Sequence, residues 1–364
     1  MAASGHDDFT ITKIAENEVI PTIVAYMHNL AYMSGSLKKQ DSLSPATLIG
    51  YLNAAVDWLR IVLGLEAKIH EPGGNRHKML QDIIDQARTW QKPKAKREPY
   101  SLRMFEKLRE QVKTASKSNS MTILGKKAAV LDWMRLTAFT GSRVGEYAQS
   151  VGTSKETSMV PELPFAEEWA GTPIAFIDED FSFYTENRHK LTMKEIIEDK
   201  ERARELHIRF RYDKSPRNFV IRKFRRTGHK ILCPVSAAIA IRCRASVLKV
   251  EKGKALGVAH IPKTKNKEAR VVNLVSNDVV RIMRKACLDA YPSPTDYYNI
   301  NVKNIDAHSG RVYAALLLSN AGISKNEIAF RLRWMPSSVD HYLRDCSKAV
   351  ERLTAAAVIG SLVT

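Results

Sequence analysis

The chain has 364 residues, enough for two domains, and its 57 lysines and arginines outnumber 39 acidic residues to give a formal charge of +18. A surplus of this size favours a polyanionic partner. No apolar run approaches the roughly 18 residues of a membrane span, and the start of the chain lacks a secretory-signal pattern, so we expect no membrane and no secretion.

The first part of the chain is predicted to be a helical domain over residues 10–90. In "SPATLIGYLNAAVDWLRIVLGL" apolar residues recur at three-to-four spacing, with Ser44 or Ser42 as the N-cap. "QKPKAKREPYS", residues 91–101, holds two prolines and four cations and predicts an interdomain linker. Its charge suggests that Lys94, Lys96 and Arg97 lie along nucleic acid, although a solvated linker explains it nearly as well.

Residues 102–350 are predicted to form a mixed domain. Helical patterns run to about 150, a strand candidate lies in "IAFIDEDFSFY", and residues 205–225 predict a hairpin. Pro234 opens a further helix, residues 252–270 look basic and irregular, and Ser276 or Asn277 caps the next helix. The predicted fold class is therefore α+β, mostly α, with a small antiparallel sheet.

Basic residues concentrate around this hairpin. Residues 201–230 hold eleven lysines and arginines against three acids, interleaved with Ile, Phe and Val at strand-like alternation. One face of such a ribbon packs while the other directs cations toward phosphates, and the candidates are Arg211, Arg217 and Arg222. Solubility alone is the simpler explanation of the surplus.

Four separated segments carry residue types suited to phosphoryl chemistry. They are "FTGSRVGEY" with Arg143, the hairpin turn with Lys214, "AHSGRVYAALLL" with His308 and Arg311, and "FRLRWMPSSVDHYLRD" with Tyr342. Positions i and i+3 of a helix face the same way, so the histidine and arginine can reach one point. The four cysteines lack CxxC spacing and no nucleotide loop or HExxH motif is present, so we expect no metal and no cofactor.

These segments resemble the catalytic domain of tyrosine recombinases, the phage-integrase and Cre-like family. That family has an arginine in a TGxRxxE box, a lysine on a β-hairpin, an HxxR box, a histidine or tryptophan, and then the tyrosine. Trp334 stands where most members have histidine, and Tyr342 follows it by eight positions rather than nine. The pattern is closest to the recombinases of eukaryotic mobile elements, the Crypton and DIRS types.

The resemblance implies a role for each matching residue. Tyr342 would attack a DNA phosphate, Arg143 and Arg311 would clamp it, and Lys214 would protonate the leaving 5′ oxygen, with His308 as a donor or proton shuttle. Arginine suits a phosphate because its planar fork donates to two oxygens and stays charged.

Two further residues have supporting roles. Trp334 would offer an indole N–H and a packing surface, and Glu146 would orient His308 or Arg143.

Simpler interpretations stand beside these roles. Tyr342 alone reads as a surface tyrosine of an amphipathic helix, and Trp334 as a core residue. Glu146 could be an ordinary first-turn helix acid, and Lys223 or Lys230 could replace Lys214 as the general acid.

The family further implies a C-shaped clamp around double-stranded DNA, recombination through a 3′-phosphotyrosine and a Holliday junction, and a homotetramer on synapsed DNA. The apolar tail, residues 351–364, would dock on a neighbouring protomer or pack in cis. The location would be nuclear in a eukaryote, or the cytoplasm or nucleoid otherwise. A DNA-relaxing enzyme of the topoisomerase IB type and a non-catalytic DNA-binding regulator are the alternatives.

Overall fold

The computed structural model describes residues 18–32, 43–72, 74–90, 97–148, 159–160, 170–211, 220–263, 267–293 and 300–344. The chain divides into two compact units, Met1–Lys94 and Ala95–Thr364. Within the described ranges, no helix combines the length and apolar character needed to cross a bilayer.

The first unit is a helical cluster. Its helices are α1 (Val19–Tyr32), α2 (Pro45–Leu63) and α3 (Lys78–Trp90). Ser44 caps α2 by accepting the Thr47 N–H, as the sequence predicts, and Gly64 ends it in the left-handed conformation. The buried core joins one face of each helix and includes Met27, Leu52 and Ile84.

The second unit is built around one central helix. Its helices are α4 (Leu102–Ser118), α5 (Lys126–Thr140), α6 (Met193–Glu198), α7 (Pro234–Val247), α8 (Ser276–Ala290), α9 (Ser309–Asn320), α10 (Lys325–Leu332) and α11 (Pro336–Arg344). Helix α5 is buried on most of its surface and packs against α4, α7, α8 and α9. A helix apolar nearly all round is typical of such a central position.

Aromatic stacking and buried ion pairs fix α5 in this core. Trp133 stacks on Tyr147 and Phe176 with ring centroids 5.5 and 5.9 Å apart. Asp132 pairs with Arg244 of α7, and both side chains are almost fully buried. These contacts hold the middle of α5 in the core, so the residues that follow the helix start from a buried element.

Two antiparallel sheets are found in the described residues of the second unit. The strands are β1 (Phe181–Tyr184), β2 (Lys190–Leu191), β3 (Glu205–Phe210), β4 (Val220–Arg225), β5 (Val258–Ile261) and β6 (Arg270–Asn273). The first sheet has the order β2-β1-β3-β4, and β5 pairs with β6 in the second. In the β3–β4 hairpin Leu206 lies opposite Phe224, and both are buried while their neighbours carry charges outward.

The predicted fold class is confirmed, since the unit is mostly helical with small antiparallel sheets. The predicted hairpin and the helix opened by Pro234 are also present. The prediction that residues 252–270 are irregular is wrong, because strand β5 lies within this segment and β6 begins at its last residue. The cap assigned to Ser276 or Asn277 is wrong as well, because Val275 precedes the helix and its N–H bonds to the Asp278 carboxylate.

The end of the predicted linker belongs to the second unit. Residues 91–96 lie outside the described residues, but Tyr100 is 2% exposed and its hydroxyl donates to the Asp306 carbonyl at 3.1 Å. Its ring contacts Phe105 in the core, with centroids 6.1 Å apart. A large aromatic side chain inside a polar, proline-flanked segment explains why this part packs instead of spanning open solvent.

We expect Gly257→Ala to destabilise the second unit by about 1–3 kcal/mol, the range typical of overpacking. A Cβ at this position would lie 1.8 Å from the Tyr147 carbonyl oxygen, so backbone must move. Thermal and urea denaturation measure the loss. Gly145→Ala is the matched control because nothing lies within 4 Å of its Cβ, and equal stability of the two variants would contradict the close approach.

Candidate active site

The first piece of the site follows the end of α5. Gly141 adopts φ +57° and closes the helix by donating its N–H to the Thr137 carbonyl. A Cβ there would meet the Trp334 ring at 3.0 Å, so glycine is required by both conformation and space. The chain then turns outward to Arg143, which is half-buried.

The second piece is the first turn of α9. The Asp306 carboxylate accepts the His308 backbone N–H at 2.6 Å, and the Ser309 hydroxyl accepts the Asp306 N–H at 2.9 Å. These bonds fix where the helix begins. Arg311 lies one turn further on, is 4% exposed, and donates from Nη1 to the Gly141 carbonyl at 2.7 Å. The HxxR spacing thus places both side chains beside the end of α5.

The third piece is the turn between α10 and α11. Trp334 lies in this turn and is 3% exposed, and α11 begins at Pro336. A separate short helix therefore carries Tyr342, and proline suits its first position because no backbone N–H is needed there. The tyrosine is half-buried, and its ring packs against Trp334 with centroids 4.7 Å apart.

The three pieces meet at the Arg311 guanidinium. Its Nε donates to the Tyr342 hydroxyl at 3.2 Å, and its Cζ lies 4.3 Å from the Trp334 ring centroid. Three residues from two distant parts of the sequence, Gly141, Trp334 and Tyr342, therefore surround one buried cation. Such an arrangement places a fixed positive charge next to a phenol hydroxyl.

Electrostatics mark this region as cationic. Burial lowers the pKa of Arg311, and the nearby Arg143 lowers it further, while Tyr342 acts in the opposite direction. Burial also lowers the pKa of His308, followed by Arg97, against an opposing effect of Asp306. Cations that depress each other's proton affinity are stabilised when an anion binds among them.

Glu146 is held by an arginine that the sequence analysis did not single out. Its carboxylate accepts the Arg143 backbone N–H at 2.9 Å, and Nη2 of Arg333 lies 3.1 Å from each of its oxygens. Both side chains of this pair are buried. The only sequence signal was an arginine directly before Trp334, which is inconspicuous in a segment already rich in arginine.

Several residues from the sequence analysis are not among those that the structure describes. Lys214, Arg217, Lys94 and Lys96 fall outside the described residues, as does the tail 351–364.

The prediction that Arg211 directs its charge toward phosphates is wrong, because its side chain is 3% exposed and is bound inside the protein. Its Nε donates to Asp180 at 2.8 Å, and its other nitrogens donate to Thr172 and to the Ala175 carbonyl. A guanidinium with these partners stabilises the end of strand β3 and is not available to a phosphate.

Two remaining cations keep partly exposed side chains. Arg97 pairs with Asp306 at 2.9 Å beside the HxxR turn. Arg222 lies over the Phe330 ring and donates to the Phe330 carbonyl at 3.1 Å. Lys223, an alternative general acid, is exposed on β4.

No protein-family model and no curated protein sequence matches this chain. Among solved structures the chain is similar to the crystal structure of XerA recombinase, with 14% sequence identity and a TM-score of 0.37, over 94% of this chain and 98% of that chain. A similarity this small carries no weight for the chemistry, so we base the function on the geometry of the site.

The depressed pKa of His308 predicts a loss of stability in acid. The unfolded imidazole titrates near its usual pKa of about 6.5 and the folded one below it, so below about pH 6.5 the unfolded state binds more protons. The contribution of neutral His308 to the free energy of unfolding is therefore fully present above about pH 6.5 and is lost as the pH falls toward the pKa of the folded state. We expect His308→Gln to reduce the slope of the free energy of unfolding against pH by up to about 1.4 kcal/mol per pH unit. Urea denaturation between pH 7.5 and 5 measures it, and identical slopes in both proteins would contradict a desolvated imidazole.

Proposed function

We propose that this protein is a DNA strand transferase in which Tyr342 attacks a backbone phosphate and forms a 3′-phosphotyrosine. The observation that carries the proposal is the buried Arg311 guanidinium, which lies 3.2 Å from the Tyr342 hydroxyl. Arg143 and His308 are close enough to perturb the same group of charges. A hydroxyl among fixed cations is the arrangement that attack on a phosphodiester requires.

The cations supply the main chemical need of this reaction. A phosphodiester is anionic, and its pentacoordinate transition state gathers further negative charge on the non-bridging oxygens. Arg311 is immobilised by the Gly141 carbonyl and the Trp334 ring, so its donors need no reorganisation when the charge develops. Arg143, which follows the end of α5, provides the second guanidinium that donates to the phosphate oxygens.

The reaction balances without an external energy source. The Tyr342 oxygen bonds to phosphorus while the bond from phosphorus to the 5′ oxygen breaks. Burial lowers the pKa of His308, which favours the neutral imidazole, and on this proposal His308 accepts the tyrosine proton. Lys214, assigned from the sequence pattern, gives a proton to the 5′ oxygen. One phosphoester replaces another, so the reverse step rejoins DNA without ATP, metal or cofactor.

Duplex DNA is the substrate that fits the composition. The net charge of +18 favours a polyanion, and cations away from the site hold the backbone without reading sequence. The proposed role is site-specific recombination or integration through a Holliday junction, of the kind catalysed by tyrosine recombinases of mobile elements. A homotetramer on synapsed DNA, with the tail 351–364 bridging protomers, and a nuclear location in a eukaryote belong to this proposal.

We expect covalent capture of DNA by wild-type protein and none by Tyr342→Phe. The probe is a radiolabelled pool of nicked duplexes with randomised sequence, in which cleavage releases a short 5′-hydroxyl fragment and traps the adduct. Denaturing gels detect labelled protein, and EDTA is present throughout. Tyr184→Phe, which changes another half-buried tyrosine of the same unit, is the control.

An adduct that persists in Tyr342→Phe would overturn the nucleophile. An adduct that forms only in a parallel reaction with Mg²⁺ and without EDTA would contradict the metal-free mechanism. A wild type that binds the pool without any adduct would favour the non-catalytic regulator.

Arg143→Ala and Arg311→Ala should each reduce the rate of adduct formation by roughly 10²–10³-fold, the usual effect of removing one preorganised donor. Affinity for duplex DNA should change only a few-fold, because many other cations contact the backbone. Single-turnover cleavage and filter binding at several salt concentrations separate the two effects. Arg281→Ala removes an arginine with a 70% exposed side chain and is the control; parallel losses of binding and cleavage would contradict a role in the transition state.

A further inference from the structure

Arg333 has an unusual backbone for a residue with a long side chain. It follows the last residue of α10 and adopts φ +61°, one of three non-glycine residues with positive φ in the described part of the chain. The left-handed conformation normally favours glycine or asparagine at a helix C-terminus. An arginine here directs its side chain back across the end of the helix, where glycine would provide the turn alone.

The side chain is buried and contacts a carboxylate and an aromatic ring. Arg333 is 2% exposed, its Nη2 lies 3.1 Å from both Glu146 oxygens, and its Cζ lies 3.5 Å from the Phe210 ring centroid. A buried ion pair is costly to desolvate and contributes little net stability compared with apolar packing. Its value lies in the geometry that it specifies.

Each contact of Arg333 leads to a different part of the proposed site. Glu146 accepts the Arg143 backbone N–H at 2.9 Å, which sets the turn carrying the first phosphate arginine. Phe210 is the last residue of β3, the strand that precedes the segment containing Lys214. Trp334 is the next residue in the chain and packs on Tyr342.

Two neighbouring contacts attach the same helix to the hairpin. Arg331 lies over the Phe224 ring at 4.2 Å and donates to the Lys223 carbonyl at 3.0 Å. Arg222 reaches back from β4 to Phe330. Helix α10 is thus joined to β4 by these side chains and to β3 by Arg333.

We propose that Arg333 is a positioning residue for DNA cleavage, coupling the Arg143 turn, the β3–β4 hairpin and the Trp334–Tyr342 segment. It acts through Glu146 and Phe210 and touches no reacting atom. This inference rests on the proposed function for its catalytic consequence, whereas the coupling itself is a property of the folded protein.

Cleavage kinetics test the catalytic consequence. We expect Arg333→Gly to lower the single-turnover rate of adduct formation by about 100-fold, the effect of misplacing a catalytic group by about 1 Å. DNA affinity should stay within about two-fold of wild type. Glycine suits the positive φ, so the backbone is not strained by this change. Arg333→Lys keeps a cation within reach of Glu146 and should recover at least ten-fold of the lost rate.

A double variant tests whether the effect passes through Glu146. If it does, Glu146→Gln combined with Arg333→Gly should cleave no more slowly than the slower single variant, because interacting residues are non-additive. Arg333→Gly leaves the buried Glu146 carboxylate without its cation, and the double variant replaces that carboxylate with a neutral amide. If Arg333→Gly alone does not fold, the double variant is therefore the protein in which the loss of Arg333 is measured. If the rate loss of the double variant equals the product of the two single-variant losses, the effect of Arg333 does not pass through Glu146.

Hydrogen exchange tests the coupling without DNA chemistry. Arg333→Gly should speed amide exchange of peptides from three elements: residues 141–148, 205–211 and 328–344. Faster exchange confined to 328–344 would overturn the proposal, as would equal losses of binding and cleavage. Absence of any Tyr342 adduct in wild type would overturn the proposed function and the catalytic consequence together, while the exchange result decides the coupling independently.

Discussion

The buried charge of Arg311 is the constraint on which the arrangement of the site depends. A guanidinium removed from water must have fixed partners, and here they are a helix-terminal carbonyl, an indole face and a phenol oxygen. The carbonyl comes from the end of α5 and the two rings from the α10–α11 segment, whereas Arg311 itself lies on α9. Satisfying this one charge therefore determines how the end of α5, the start of α9 and the α10–α11 turn lie relative to one another.

Two glycines make this convergence possible. Gly141 lets α5 end in a left-handed turn directly under Trp334, and Gly310 lets α9 approach Thr137, where a Cβ would lie 3.0 Å from a methyl group. The aromatic stack on Trp133 and the Asp132–Arg244 pair hold α5 from its other side. Arg311 and the turn that carries Arg143 are thus attached directly to a buried helix of the core.

The sequence could predict what depends on local spacing. Histidine and arginine three apart mark one helix face, and alternating charges mark the β3–β4 hairpin, so both were found. Features set by tertiary contacts were not. Arg211 looks like any other ribbon arginine until Asp180 is placed beside it. The role of Arg333 depends on its left-handed backbone and on a carboxylate 187 positions earlier in the chain. The residues next to it in the sequence indicate neither feature.

The contact between Arg311 and Tyr342 has a consequence for how the free protein meets DNA. In the free state the phenol oxygen accepts one of the guanidinium N–H groups that a phosphate would use. On the proposed mechanism, substrate binding exchanges a neutral acceptor for an anionic one at the same donor. The displaced oxygen would then start beside the donor that holds the phosphate, so the arginine proposed to stabilise the charge would also keep the proposed nucleophile in place before DNA binds.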